Sequence, residues 1–311
     1  VNPVTLTPTN KVSEDIQNIP QTETPTFALS DDETAQITSK KLIDPATGQP
    51  TDETTVTVAG EGTYTIDPTT GAVTFTPEKD FVGTATGVKI QAIATITNED
   101  GKTSTITSDA SYTPTVVAAV PTAKPATSKD IQGATQTGKP EFTAGDSRVP
   151  MNDDVPATFD DGSTTKTVDG VGTYTVAADG TVTFVPEKSF TGKSPAVTVV
   201  REDKNGTKAS ATYTPTVTPV TPTATPAEST GPQGLVQTGT VTFTEGDEVA
   251  PIDKDTITLL DENGQLAASV DAKSPTGDVI GTFTVDKDTG VVTFTPTDKS
   301  YSGDVVPVKV Q

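Results

Sequence analysis

The residue pattern with the most chemical reach in this chain is Asp286-Lys287-Asp288-Thr289-Gly290. Alternating acids closed by a glycine open many calcium loops, because oxygen ligands at every second position converge on one cation while glycine turns the chain. Such a loop also needs a bidentate acid downstream, and Asp298 stands at the wrong spacing for it. Two related segments, Asp67-Pro68-Thr69-Thr70-Gly71 and Ala177-Ala178-Asp179-Gly180, keep the turn residues and lose most of the acids. Asp and Gly are also what a tight turn selects unaided. The expectation is a hairpin turn without a metal.

Adjacent carboxylates are the second signal: Asp31-Asp32, Asp153-Asp154 and Asp160-Asp161. Glycoside hydrolysis needs two carboxyl groups facing each other across a cleft, whereas neighbours on a loop are solvated. The acid that follows a recurring proline is Glu78, then Glu187, then Thr297, so it is not retained. The 311 residues contain no histidine and no cysteine. Imidazole bases, thiol nucleophiles, disulfides and zinc sites are thereby excluded. Lys79, Lys188 and Lys299 would form an internal Lys–Asn isopeptide bond only if buried beside an asparagine and an acid. They follow a turn with shifting spacing, which predicts exposed side chains. No catalytic, cofactor-binding or metal-ligating residue is expected, and no enzyme activity.

Tyr64, Phe75, Phe81 and Tyr112 would make a glycan-stacking platform if they faced outward. They alternate with threonine, which sends the aromatics to the inner face of a sheet, where large apolar groups contribute most to a core. The outward threonines suit O-glycosylation, and their β-propensity explains them equally well.

The elements that carry these residues recur. Gly62-Thr63-Tyr64-Thr65-Ile66 returns 110 residues later as Gly172-Thr173-Tyr174-Thr175-Val176, and 109 further on as Gly281-Thr282-Phe283-Thr284-Val285. Each copy is followed by a second block: Val73-Thr74-Phe75-Thr76-Pro77, Val182-Thr183-Phe184-Val185-Pro186 and Val292-Thr293-Phe294-Thr295-Pro296. An aromatic and a glycine come next, at Phe81 and Gly83, Phe190 and Gly192, Tyr301 and Gly303. The period is a domain length, not a solenoid turn. Within each block the apolar residues alternate with threonine, the period-two signature of a half-buried strand. Glycine-bearing turns between the blocks make them hairpins. A second hairpin is predicted around Asn98-Glu99-Asp100-Gly101 and Asp203-Lys204-Asn205-Gly206. No helical period is sustained, so the fold is expected to be all-β: tandem β-sandwich repeats of about 100 residues in an elongated array.

Proline, threonine and alanine dominate between the copies, with Pro121, Pro125, Pro219, Pro222 and Pro226. Such stretches favour extended, semi-rigid spacers. The divisions expected are a linker from a preceding repeat at 1–12, a first repeat at 13–117, a linker at 118–128, a second repeat at 129–217, a linker at 218–229 and a truncated third repeat at 230–311. The third stops early because Val308-Lys309-Val310 matches Val88-Lys89-Ile90, well before the closing Tyr112-Thr113-Pro114-Thr115-Val116. A chain that starts at Val1 instead of Met is expected to be a section of something longer.

Lys and Arg number 21 against 42 Asp and Glu, a net charge of −21. That surface repels phosphate backbones and anionic lipid, so neither nucleic acid nor membrane is expected as a partner. Hydrophobic residues are 32% and tryptophan is absent, so any core is divided among small units.

The landmarks together resemble the CshA-type fibril repeat of streptococcal and related Gram-positive fibrillar surface adhesins. They are Gln-Thr-Gly at Gln136 and Gln237, Phe-x-x-Gly-Asp at Phe142 and Phe243, the Gly-x-Tyr-Thr-Val hairpin, and Tyr-Thr-Pro-Thr-Val at Tyr112 and Tyr213. Repeat one departs by lacking the Gly-Asp pair after Phe27. The resemblance implies a secreted, wall-anchored fibre, anchored through a segment not in this chain. It implies a non-catalytic stalk that projects a distal adhesive region, with other repeats of the same fibre as partners. Contact with host extracellular matrix would then fall to regions outside this chain. The alternatives are repeats that themselves bind host matrix protein or glycan, and a calcium-rigidified cadherin-like array.

Overall fold

The computed structural model describes residues 3–30 and 34–311; Val1, Asn2 and the Asp31-Asp32 pair lie outside the described residues. Among the described residues, repeat one and the edge strand that precedes it contain twelve strands: β1 (Leu6–Thr9), β2 (Lys11–Ile16), β3 (Gln21–Glu23), β4 (Thr26–Leu29), β5 (Ala35–Asp44), β6 (Gln49–Pro50), β7 (Thr55–Val58), β8 (Gly62–Ile66), β9 (Val73–Pro77), β10 (Gly83–Thr84), β11 (Val88–Thr97) and β12 (Thr103–Val117). One sheet runs β3-β9-β8-β7, and the other runs β10-β12-β11-β5-β6 with β2 added to β12. β1 and β4 form a small ribbon. No α-helix occurs among the described residues.

The alternation read from the sequence sets the two faces. Tyr64, Ile66, Val73 and Phe75 are buried and meet Leu42, Val88, Ile90, Tyr112 and Val116 from the opposing sheet. Between intervening positions, threonine pairs with threonine across strands. Thr22, Thr74, Thr65 and Thr55 lie in one row, with hydroxyl contacts of 2.8 Å between Thr22 and Thr74 and 3.2 Å between Thr55 and Thr65. Cross-strand threonine pairs of this kind add to sheet stability.

The glycine that opens β8 is required by the ring beside it. At Gly62 φ is 157°, and a Cβ there would come within 2.6 Å of the Phe75 ring and 2.4 Å of the Thr76 carbonyl oxygen. Gly172 and Gly281 repeat the situation against Phe184 and Phe294. The recurring Gly-Thr-aromatic spacing is a packing constraint.

Repeat two reproduces the plan. Gln136–Gly138, Val182–Pro186, Gly172–Val176 and Thr165–Val168 form one sheet. Ala126–Ile131, Lys208–Thr218, Val197–Glu202 and Thr158–Phe159 form the other, with Gly192–Lys193 added to Lys208–Thr218. Its core joins Phe159, Tyr174, Phe184, Val199 and Tyr213. The expected hairpins at Asp67–Gly71, Ala178–Gly180, Asn98–Gly101 and Asp203–Gly206 all connect paired strands.

Repeat three builds the first sheet from Gln237–Thr240, Val291–Pro296, Val279–Val285 and Ser269–Lys273. Its second sheet has three short strands, in which Val310 pairs Leu259 as Ile90 pairs Leu42. The described residues include no counterpart of the strand that carries Tyr112 or Tyr213. Phe283 and Phe294 are consequently only half-buried, whereas Tyr64, Phe75, Tyr174 and Phe184 are fully enclosed.

The proline-bearing segments are not free spacers. Leu6–Thr9 pairs Thr26–Leu29, Thr122–Lys124 pairs Glu141–Thr143, and Thr223–Thr225 pairs Thr242–Thr244. Each is a short strand laid on the repeat that follows it. The physical reason is that proline is tolerated on edge strands, where a missing N–H costs no ladder bond. Extended backbone preference is as suited to an edge strand as to a spacer.

Candidate functional site

Among the described residues, the acidic candidates are engaged in local structure. The Asp286 carboxylate accepts from the backbone N–H of Asp288 and of Thr289, both at 3.0 Å. The turn closes at Gly290 with φ 71°. These backbone bonds hold the Asp286 carboxyl below the usual carboxylate range. Asp67 caps the equivalent turn through Thr69 and Thr70. Among the described residues no three acidic side chains converge as a metal set requires.

The acid pairs face cations and turns. Asp153 meets Arg201 at 2.6 Å, and Asp154 meets Lys204 at 2.5 Å. Lys166 lies between Asp160 and Asp161 and over the Phe159 ring, 5.4 Å from its centroid. Hydrogen bonds from the Ser163 side chain and backbone hold the Asp161 carboxyl down at about 2. Neither pair opposes two carboxyls across a cleft. Lys79, Lys188 and Lys299 are exposed.

The aromatics form the core. The rings of Tyr64 and Phe75 lie 4.7 Å apart, Tyr112 stands edge-on to Tyr64 at 6.3 Å, and Phe81 stands edge-on to Phe75 at 6.3 Å. In repeat two Tyr174 and Phe184 lie 4.6 Å apart, with Phe190 edge-on to Phe184. Edge-on and tilted pairs at these distances are favourable beyond their burial.

A polar latch that the sequence reading did not find sits where the two sheets meet the terminal strands. In repeat two, Ser128 Oγ donates to Gln136 Oε1 at 2.6 Å and lies 2.6 Å from the Tyr213 hydroxyl. Serine has one proton, already committed to Gln136, so Tyr213 must donate to Ser128. Gln136 Nε2 then donates to the Thr216 carbonyl oxygen at 3.1 Å. Ser13, Gln21, Tyr112 and Thr115 repeat the same set in repeat one. Gln21 and Gln136 are buried with their amides satisfied, as buried polar groups require. Repeat three keeps Ser229 on Gln237 at 3.1 Å. The signal that could have revealed the latch is a serine eight residues before each glutamine.

The latch joins the first and last strands of the second sheet, which follow the short edge strand in repeats one and two and run side by side and parallel. Lys11 to Ile16 pair with Tyr112 to Val117, and Ala126 to Ile131 pair with Tyr213 to Thr218.

These features define a class: tandem β-sandwich repeats. A family model described as the surface adhesin CshA repetitive domain matches residues 3–116, 118–217 and 219–311. The chain belongs to that family, and it is an adhesin repeat region from an extracellular surface protein. It is 57% identical to repeat domain 13 of the fibrillar adhesin CshA from Streptococcus gordonii, solved by NMR, over 22% of this chain and 90% of that one, with a TM-score of 0.15. It is also similar to mouse cadherin-23 EC22-24, at 14% identity over 96% and 91% of the two chains with a TM-score of 0.35. The I9-I11 tandem of titin is 12% identical over 99% and 97%, with a TM-score of 0.30. No curated protein matches the chain.

Proposed function

We propose that this chain is a load-bearing, non-catalytic section of a stalk, which projects an adhesive region from a wall-anchored fibre. The observation that carries this reading is the parallel pairing of first and last strands in repeats one and two. Tension along the fibre draws the first strand toward its amino end and the last strand toward its carboxyl end. Parallel neighbours pulled that way are sheared, so the whole ladder resists at once; strands drawn apart from one end would open bond by bond. The buried Ser-Gln-Tyr latch fastens the same pair to the opposing sheet.

The divisions proposed for the stalk are repeats at 13–117, 129–217 and 230–311, with the terminal strands of the first two beginning slightly earlier, at Lys11 and Ala126, and each proline-bearing segment folded onto the repeat after it. Its partners are the neighbouring repeats, and anchoring falls to a segment outside this chain. Acids engaged with lysines, arginines and turn backbone, together with aromatics enclosed in cores, support the absence of catalysis and of a glycan platform.

Small-angle scattering and binding assays test this together. The chain is expected to give a radius of gyration well above the about 19–20 Å of one globule this long. It should also show no saturable binding to fibronectin, collagen or glycans. Compact scattering would overturn the stalk geometry, and saturable binding would move adhesion onto the repeats.

A further inference from the structure

Repeats one and two touch through side chains that repeats two and three do not share. Arg148 Nη1 lies 2.7 Å from Asp15 of the preceding repeat. The other side of the same guanidinium is held by its own repeat: Nε is 3.1 Å from Asp146 Oδ1 and Nη2 is 3.2 Å from Asp146 Oδ2. A bidentate grip of this kind fixes the plane of an arginine, so its remaining edge is aimed before the neighbour arrives. Beside it, Asn18 Nδ2 donates across the junction to Asn205 Oδ1 at 2.9 Å.

Asn18 has φ 67°, and the matching positions are Gly133 at 84° and Gly234 at 75°. That conformation suits glycine and is tolerated by asparagine. Repeat one thus carries a side chain where the later repeats carry none, and that side chain is the one that reaches the neighbour.

At the next junction the same turn meets the same loop with different chemistry. Asp130 matches Asp15, but Val249 takes the place of Arg148 and Gly133 the place of Asn18. A Cβ on Gly133 would lie 3.4 Å from the Val249 carbonyl oxygen. The surrounding cleft, about 880 Å³, is lined by Val220, Pro222, Val249 and Ile252 together with Gln132, Lys188 and Asp253.

We propose that the Asp146–Arg148 loop and Asn205 form a polar docking surface for the Asp15–Asn18 turn of the repeat before it. This makes the first junction an ionic clamp and leaves the second, with Val249 in place of the arginine, without one. The partner recognised is a neighbouring repeat with an acid at the position of Asp15 and an amide at that of Asn18. The Arg148 side chain is 49% exposed and Asp15 27%, so solvent screens the pair and salt adjusts it. The inference rests on junction geometry and not on the stalk reading, and each can fail alone.

The absence of cysteine makes the test direct. Spin labels on cysteines introduced in the full chain by Thr65→Cys with Thr175→Cys span the first junction. Thr175→Cys with Thr284→Cys spans the second. In 1 M salt, where screening falls to about 3 Å, the first distance distribution is expected to widen about twofold while the second holds its width. Arg148→Ala at low salt should widen the first alone. Asp15→Asn, which alters the other repeat, should do the same, so damage within repeat two cannot mimic the result. Val249→Arg should make the second junction narrower and salt-sensitive, because Asp130 and Asp247 already stand in place. Equal salt responses at both junctions, or an unchanged first distribution in both Arg148→Ala and Asp15→Asn, would overturn the clamp.

Discussion

The hydroxyl of Ser128 lies 2.6 Å from the phenol oxygen of Tyr213, which follows it by 85 residues. This contact ties the first strand of repeat two to its last, and Gln136 carries the tie to the facing sheet. Tyr213→Phe removes one donor and should lower stability by about 1 kcal/mol. Gln136→Leu leaves the Thr216 carbonyl without its partner and should cost about 1–3 kcal/mol. Urea unfolding of repeat two within the full chain, followed by hydrogen exchange, measures both. Equal, negligible shifts would remove the latch from the account.

Phe184 is fully enclosed and Phe294 half-buried at the equivalent position. Phe184→Ala should cost about 3–5 kcal/mol, enough to unfold repeat two locally. Phe294→Ala should cost clearly less, because part of its ring already meets water. Exchange protection read repeat by repeat distinguishes the two; equal losses would contradict the difference in enclosure.

The repeat and its hairpins were legible because period two alternation and glycine turns are local signals. Gly62, Tyr64, Phe75 and Gly71 each announce their role within a few residues. The fate of Pro121 to Pro125 was not legible, since proline-rich backbone is extended both as a spacer and as an edge strand; its partner at Glu141–Thr143 decides. The latch was hidden because Ser128 and Tyr213 are joined only by the fold. The junction was hidden for the same reason: Arg148 reads as an ordinary surface arginine until Asp15 is brought to it.

With no histidine, no side chain of ordinary pKa titrates between about pH 5 and 8, and stability should be flat there. Asp146, Asp161 and Asp286 have folded pKa values held below the ordinary carboxylate range, chiefly by hydrogen bonds. Their contribution is therefore complete above the unfolded value near 4 and is lost as pH falls through the folded one, which is about 2 for Asp161. Burial raises Tyr112, Tyr174 and Tyr213, so their contribution is complete below about pH 10 and is lost above it. Melting temperature against pH should show a plateau with both shoulders; a step near pH 6.5 would contradict this assignment.

Calcium should leave the fold unchanged, since the Asp286 and Asp67 carboxylates already cap their own turns. Melting curves with calcium and with chelator are expected to coincide. A rise of several degrees with calcium would signal a bound site and favour the cadherin-like alternative.

Pulling a single molecule tests the load-bearing role most directly. Attachment at the chain ends shears the pair formed by Ala126–Ile131 and Tyr213–Thr218. Attachment at Ala126 and Tyr213, which stand opposite each other at one end of that pair, peels it bond by bond. Repeat two is expected to unfold at several-fold higher force in the first geometry, with repeats one and two giving separate events. Equal forces in the two geometries would contradict a stalk whose strength lies in its sheared terminal strands.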